Sequence, residues 1–123
     1  ELSLEYIFGW VFSPIAWLLG VHLDDIRLIG QLLGEKLVLN EFVAYAHLGE
    51  FKESGLINNE RSIVLASYAL CGFANFASVG IQVAGIAILS PGQRPNLTKL
   101  GWRALLGGTF ACLLTASVAG LVI

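Results

Sequence analysis

Methionine is absent from this 123-residue chain, and charge is scarce. Asp, Glu, Lys and Arg together make up 13% of it, against about 25% in a typical soluble domain. The shortage excludes a chain whose whole surface faces water. Without Met there is no initiator, and the chain opens on Glu1 inside an amphipathic pattern. It has neither the basic start nor the small-residue cleavage site of a signal peptide. The expectation is a C-terminal piece of a longer protein. Only two cysteines occur, Cys71 and Cys112, both in apolar surroundings. Buried free thiols are expected, and no metal-ligand spacing is present. No basic patch argues for nucleic acid as a partner.

What the chain has instead is long uncharged runs. No Asp, Glu, Lys or Arg lies between Ile63 and Leu89, and none from Ala104 to Ile123. Such runs are candidates for membrane spans. The fold class expected is an all-α membrane protein. Residues 1–22 read as a helix lying in the membrane interface, because Pro14 interrupts a segment rich in Tyr6, Trp10 and Trp17. Residues 24–49 read as a re-entrant hairpin. Asp24-Asp25 offers a cap for a helix over about Ile26–Leu37, and a second helix follows over about Phe42–Leu48. Each covers roughly half of a ~30 Å hydrocarbon core.

Residues 50–61 form a polar connection. Residues 61–90 are too long for an untilted crossing and carry Gly72, Asn75, Ser78 and Gly80 in the middle. A discontinuous transmembrane helix resolves both features. Pro91-Gly92 ends it. The final transmembrane helix spans 101–123, with a stripe of small residues at Ala104, Gly108, Ala111, Thr115 and Ala119. Arg94, Lys99 and Arg103 place the loop before it in the cytoplasm by the positive-inside rule.

Within the hairpin stands Asn40-Glu41, inside the run 36-KLVLNEFVAYAH-47. A carboxylate at bilayer depth costs roughly 2.5 kcal/mol or more and usually faces a cavity. No Lys or Arg lies near Glu41 at helical spacing, since Lys36 is across the tip. A ligand with several hydroxyls would satisfy it through charge-assisted bonds. Asn75, Ser78 and Phe73 on the broken helix offer complementary groups: a donor and acceptor, a hydroxyl and an apolar face. Two discontinuous elements meeting near the midplane are how secondary transporters build a substrate site. Competing structural roles are helix capping for Glu41, satisfaction of freed backbone for Asn75, back-bonding for Ser78 and plain packing for Phe73. Lys36 is expected to snorkel or pair locally, and His22 and His47 to be interfacial or loop residues.

The run 34-GEKLVLNEFVAY-45 resembles the G-x-K-x-x-x-N-E-F-V-A-Y signature of the concentrative nucleoside transporters. The run 71-CGFANFAS-78 resembles that family's partner motif. The resemblance covers essentially the whole chain, as the C-terminal part of the transporter. It implies a homotrimer in the plasma membrane, or the inner membrane of a bacterium, moving nucleosides elevator-fashion with a coupling cation, Na+ or H+. It implies that Glu41 and Asn75 bond the ribose hydroxyls, with Ser78 and Phe73 assisting and Asn40 at the same tip. The nucleobase and cation sites fall in the N-terminal remainder. Ala77 departs from the commoner pattern, where Ser often stands. No enzymatic activity is implied. The alternatives are a structural membrane subunit or an intramembrane enzyme using Glu41 as a general base, for which no nucleophile with an adjacent base is evident.

Overall fold

A computed structural model describes residues 3–123. Among these residues every regular element is a helix, without a strand. Six α-helices follow one another: α1 (Leu4–Leu18), α2 (Ile26–Val38), α3 (Glu41–Glu53), α4 (Glu60–Leu70), α5 (Phe76–Leu89) and α6 (Arg94–Val122). Short 3-10 turns at Leu23–Asp25 and Pro91–Gln93 precede α2 and α6. Among the described residues, one helix is long and apolar enough to cross a membrane, the one ending at Val122.

Local chemistry sets most of the boundaries. Asn40, Asn59 and Asn75 each stand one residue before a helix in extended backbone. Each accepts a backbone N–H three residues on, from Val43, Ser62 and Ser78 respectively. This is the side-chain capping that short polar residues provide. Asp25 does not cap: Leu23–Asp25 coils into the 3-10 turn, and the Asp25 side chain makes no capping bond. The α1 helix continues through Pro14 to Leu18, with the Ser13 hydroxyl bonded back to the Gly9 carbonyl.

Two helices outrun the lengths read from the sequence. The α3 helix continues to Glu53 because its stop signal lies later. Gly55 takes a left-handed φ of +73°, and the Leu56 N–H donates to the Phe51 carbonyl at 2.9 Å, closing the last turn. The α6 helix begins at Arg94 because Pro95 falls in its first turn, where a missing N–H breaks no helical bond.

The core is built where α2 packs against α1, α3 and α4, and α4 in turn against α6. It includes Ala16, Ile29, Leu32, Leu65, Leu70 and Ala116, all fully buried. The buried face of α6 is Leu105, Cys112, Ala116 and Gly120, of which Ala116 joins the core. The small-residue stripe from Ala104 to Ala119 lies beside that face, with Ala104, Ala111 and Thr115 exposed. No residue of α5 is buried, and Ile81, Ile88 and Leu89 stand well exposed. Its apolar surface suits a hydrocarbon or protein surround rather than water.

The α1 and α2 helices approach each other at glycine. A Cβ on Gly30 would lie 2.8 Å from the Gly9 carbonyl oxygen and 2.9 Å from the Ser13 nitrogen. Both are rigid backbone atoms, so a side chain there forces the helices apart. Gly30→Val is expected to destabilise the fold by about 1–3 kcal/mol, the usual range for overpacking. Thermal unfolding of the protein in detergent checks this, and an unmoved midpoint would show that the helices are not in such close contact.

Candidate functional site

The site starts from two helix beginnings. Glu41 is the first residue of α3 and Asn75 the residue before α5. The Asn75 Nδ2 donates to Glu41 Oε2 at 2.7 Å. Glu41 is 8% exposed and Asn75 2%. No Lys, Arg or His pairs with this buried carboxylate among the described residues. Its charge is instead met by N-terminal ends of helices, which carry partial positive charge on their unpaired N–H groups. Glu41 occupies the N-terminus of its own helix and touches the cap of another.

The polar atoms can be counted. Asn75 Oδ1 accepts the Ser78 N–H at 2.8 Å, and one Nδ2 hydrogen goes to Glu41. One Asn75 hydrogen and Glu41 Oε1 keep no partner among the described residues. The Asn40 Oδ1 accepts the Val43 N–H at 3.0 Å, which leaves its amide nitrogen free beside Glu41. The arrangement thus offers a carboxylate oxygen and two amide donors at converging helix starts. That set accepts from and donates to neighbouring hydroxyls.

The five residues singled out from the sequence are not all in one place. Asn40 and Glu41 are adjacent, and Glu41 and Asn75 are bonded. Ser78 joins them through its backbone N–H. Ser78 and Phe73 line a hollow of about 630 Å³ between α5 and α6, which neither Glu41 nor Asn75 borders. Phe73 is 71% exposed. That hollow is walled mostly by Val79, Ile86, Leu100 and other apolar residues. Buried polar chemistry, rather than volume, marks the Glu41–Asn75 contact as the candidate site.

Bonds from three other helices hold the break between α4 and α5 in shape. Residues 71–75 leave the helix through Gly72, whose φ is +133°. The carbonyls freed at the end of α4 need partners. Lys36 of α2 is buried and donates from Nζ to the Ala69 carbonyl at 2.9 Å. Tyr45 of α3 donates its hydroxyl to the Ser67 carbonyl at 2.6 Å. Cys112 of α6 donates its thiol to the Cys71 carbonyl at 3.1 Å. Lys36 therefore neither snorkels nor pairs locally. A cation at the C-terminal end of α4 also matches that helix's partial negative charge. Cys112 is buried as expected, but Cys71, placed in the break, is exposed. Ser78 and Gly80, which read as further breakers, lie inside α5.

Besides Glu41 and Asp25, a third acid is buried, and it escaped the sequence reading. Glu35 of α2 is 1% exposed. It accepts from Gln31 Nε2 at 2.7 Å and meets His47 Nδ1 at 2.7 Å. His47 is therefore a helical residue with a carboxylate partner, and not a loop residue. The i, i+4 spacing of Gln31 and Glu35 was the available signal. The partner on α3 had none.

The chain matches the family model described as Na+ dependent nucleoside transporter C-terminus over residues 1–120. It is 44% identical to the uncharacterized transporter YutK of Bacillus subtilis, over 99% of this chain and 30% of that protein. It is 41% identical to the sodium/nucleoside cotransporter 1 of Rattus norvegicus, over 98% of this chain and 20% of that one. Among solved structures it superposes on CNTnw in an inward-facing substrate-bound state with a TM-score of 0.92 at 38% identity, covering 98% of this chain and 29% of that one. The chain spans less than a third of the length of each of these relatives. It belongs, by that match over nearly its whole length, to the Na+ dependent nucleoside transporter family, in the part described as the C-terminus.

Proposed function

We propose that this chain is the part of a cation-coupled nucleoside transporter that binds the ribose of its substrate. The observation that carries the reading is the buried Glu41–Asn75 pair, bonded at 2.7 Å and served by no basic side chain. In this reading Glu41 Oε1 accepts one ribose hydroxyl and the free Asn75 hydrogen donates to its neighbour. Asn40 lies at the same tip. Ser78 and Phe73, on the α5–α6 side, assist once the remainder of the transporter closes the site.

The helices α2 and α3 form a re-entrant hairpin, and α4 with α5 a discontinuous transmembrane helix. The α1 helix lies in the interface and α6 crosses the bilayer. The protein sits in the plasma membrane, or the inner membrane of a bacterium, as a homotrimer whose protomers each carry substrate elevator-fashion. The nucleobase contacts and the coupling cation, Na+ or H+, belong to the N-terminal remainder. Breaks in helices are tolerated at membrane depth only where protein or a wet cavity covers them. The side-chain bonds from Lys36, Tyr45 and Cys112 supply such cover on one side. An enzymatic role for Glu41 draws no support, because its partner is an amide and not a nucleophile.

Two outcomes follow. In the full-length protein, Glu41→Gln is expected to reduce radiolabelled nucleoside uptake by about tenfold or more. A neutral amide loses the charge-assisted bond to the diol, and hydrogen bonds to charged groups contribute about 1.5–3 kcal/mol. Uptake kinetics unchanged by this substitution would refute the assignment. Separately, 2′,3′-dideoxynucleosides are expected to compete poorly for uptake against the parent nucleosides, since they leave Glu41 Oε1 and the second Asn75 hydrogen without partners. Equal competition would mean that the pair does not read the diol.

A further inference from the structure

The Glu35–His47 contact lies apart from the Glu41–Asn75 pair and has a different chemistry. Glu35 is an acid with both oxygens engaged, one by Gln31 on its own helix and one by His47 on the next. Its side chain is 2% exposed, whereas that of His47 is 35% exposed. The carboxylate is thus sealed, and the imidazole is its port to the outside. The ring also stacks on Phe51, with centroids 6.3 Å apart. The charged groups facing His47 are Glu35 of α2, Glu50 of α3 and Glu5 of α1. All three are acidic. Histidine is the side chain whose ordinary titration falls between about pH 5 and pH 8. Ionisable residues in membrane segments usually carry function.

We propose that Glu35 and His47 form a proton-binding site whose occupancy sets how tightly α2 and α3 are tied together. With the proton bound, imidazolium Nδ1–H donates to a carboxylate, a charge-assisted bond between the two arms. When the proton leaves from Nε2, the ring nitrogen not bonded to Glu35, a neutral Nδ1–H remains against the same carboxylate. The bond weakens, and the buried charge of Glu35 loses its counter-charge. The α3 helix that carries His47 also begins with Glu41, so the tie between the arms bears on the candidate site. The consequence for uptake rests on the transport reading above; the proton site does not.

Hydrogen–deuterium exchange on the full-length protein in detergent tests the site directly. Amides of residues 26–53 are followed across about pH 5 to pH 8, after correction for the intrinsic pH dependence of exchange. Protection is expected to fall about fivefold as pH rises, the difference between a charge-assisted and a neutral bond. His47→Gln keeps a donor for Glu35 but takes no proton, and should show a flat profile. A His47→Gln profile parallel to that of the unsubstituted protein, or a flat profile in the unsubstituted protein, would overturn the proposal. Should His47→Gln fail to fold, Glu35→Gln removes the buried charge and is expected to flatten the profile equally; a retained slope would count against the site. Nucleoside uptake over the same pH window should show a shallower slope in His47→Gln than in the unsubstituted protein. Absence of uptake at every pH in the unsubstituted protein would sink the transport reading and leave the exchange result to decide the proton site.

Discussion

A carboxylate and an amide, each at the start of a helix, hold two interrupted elements together. The Glu41–Asn75 bond joins residues 34 apart in sequence. It does so where both helices present their positive ends. A lone buried acid would be costly, and a basic partner would neutralise it before any ligand arrived. Helix termini stabilise the charge without consuming its hydrogen-bonding capacity. That leaves Glu41 an unpaired oxygen in a nearly closed setting. The polar logic of the candidate site depends on this choice of helix ends over a counter-ion.

Such an arrangement needs helices that stop and restart in apolar surroundings. Each stop frees backbone carbonyls that cannot be left bare. The chain meets this by aiming side chains from neighbouring helices at them. Lys36, Tyr45 and Cys112 each reach a carbonyl at the end of α4 or in the break after it. Starts are handled locally instead, by Asn40, Asn59 and Asn75. The asymmetry has a simple cause. A cap at a helix start is three residues from its target, whereas freed carbonyls point onward, toward whatever helix packs there.

Packing supports the same site from behind. Gly30 lets α1 and α2 approach to backbone contact, which fixes α2 and with it Lys36 and Glu35. At Gly72 a side chain would lie 2.6 Å from the Cys112 sulfur, and the φ of +133° there is one that residues with a side chain rarely adopt. The break is therefore shaped by α6 as well as by its own sequence. The α5 helix has no buried residue, and its apolar surface stands open on the side away from α6.

Much of this was legible in the residues. Uncharged runs gave the helical class, because burying backbone in an apolar medium leaves helices as the economical solution. Half-length helices on either side marked the interruption near 39–40, and the poor helix formers of 71–80 marked the second, which the structure confines to 71–75. Glu41 and Asn75 stood out because polar groups in such runs need a reason. What the sequence did not carry was mutual orientation. Which face of α6 meets the core, that Lys36 finds the Ala69 carbonyl, that Glu35 finds His47, and that Phe73 and Ser78 border a different hollow all depend on helical phase and approach. Helices apolar on every side have no periodicity from which phase can be read. Only the packed tertiary structure, through close contacts such as Gly30 on Gly9, decides it.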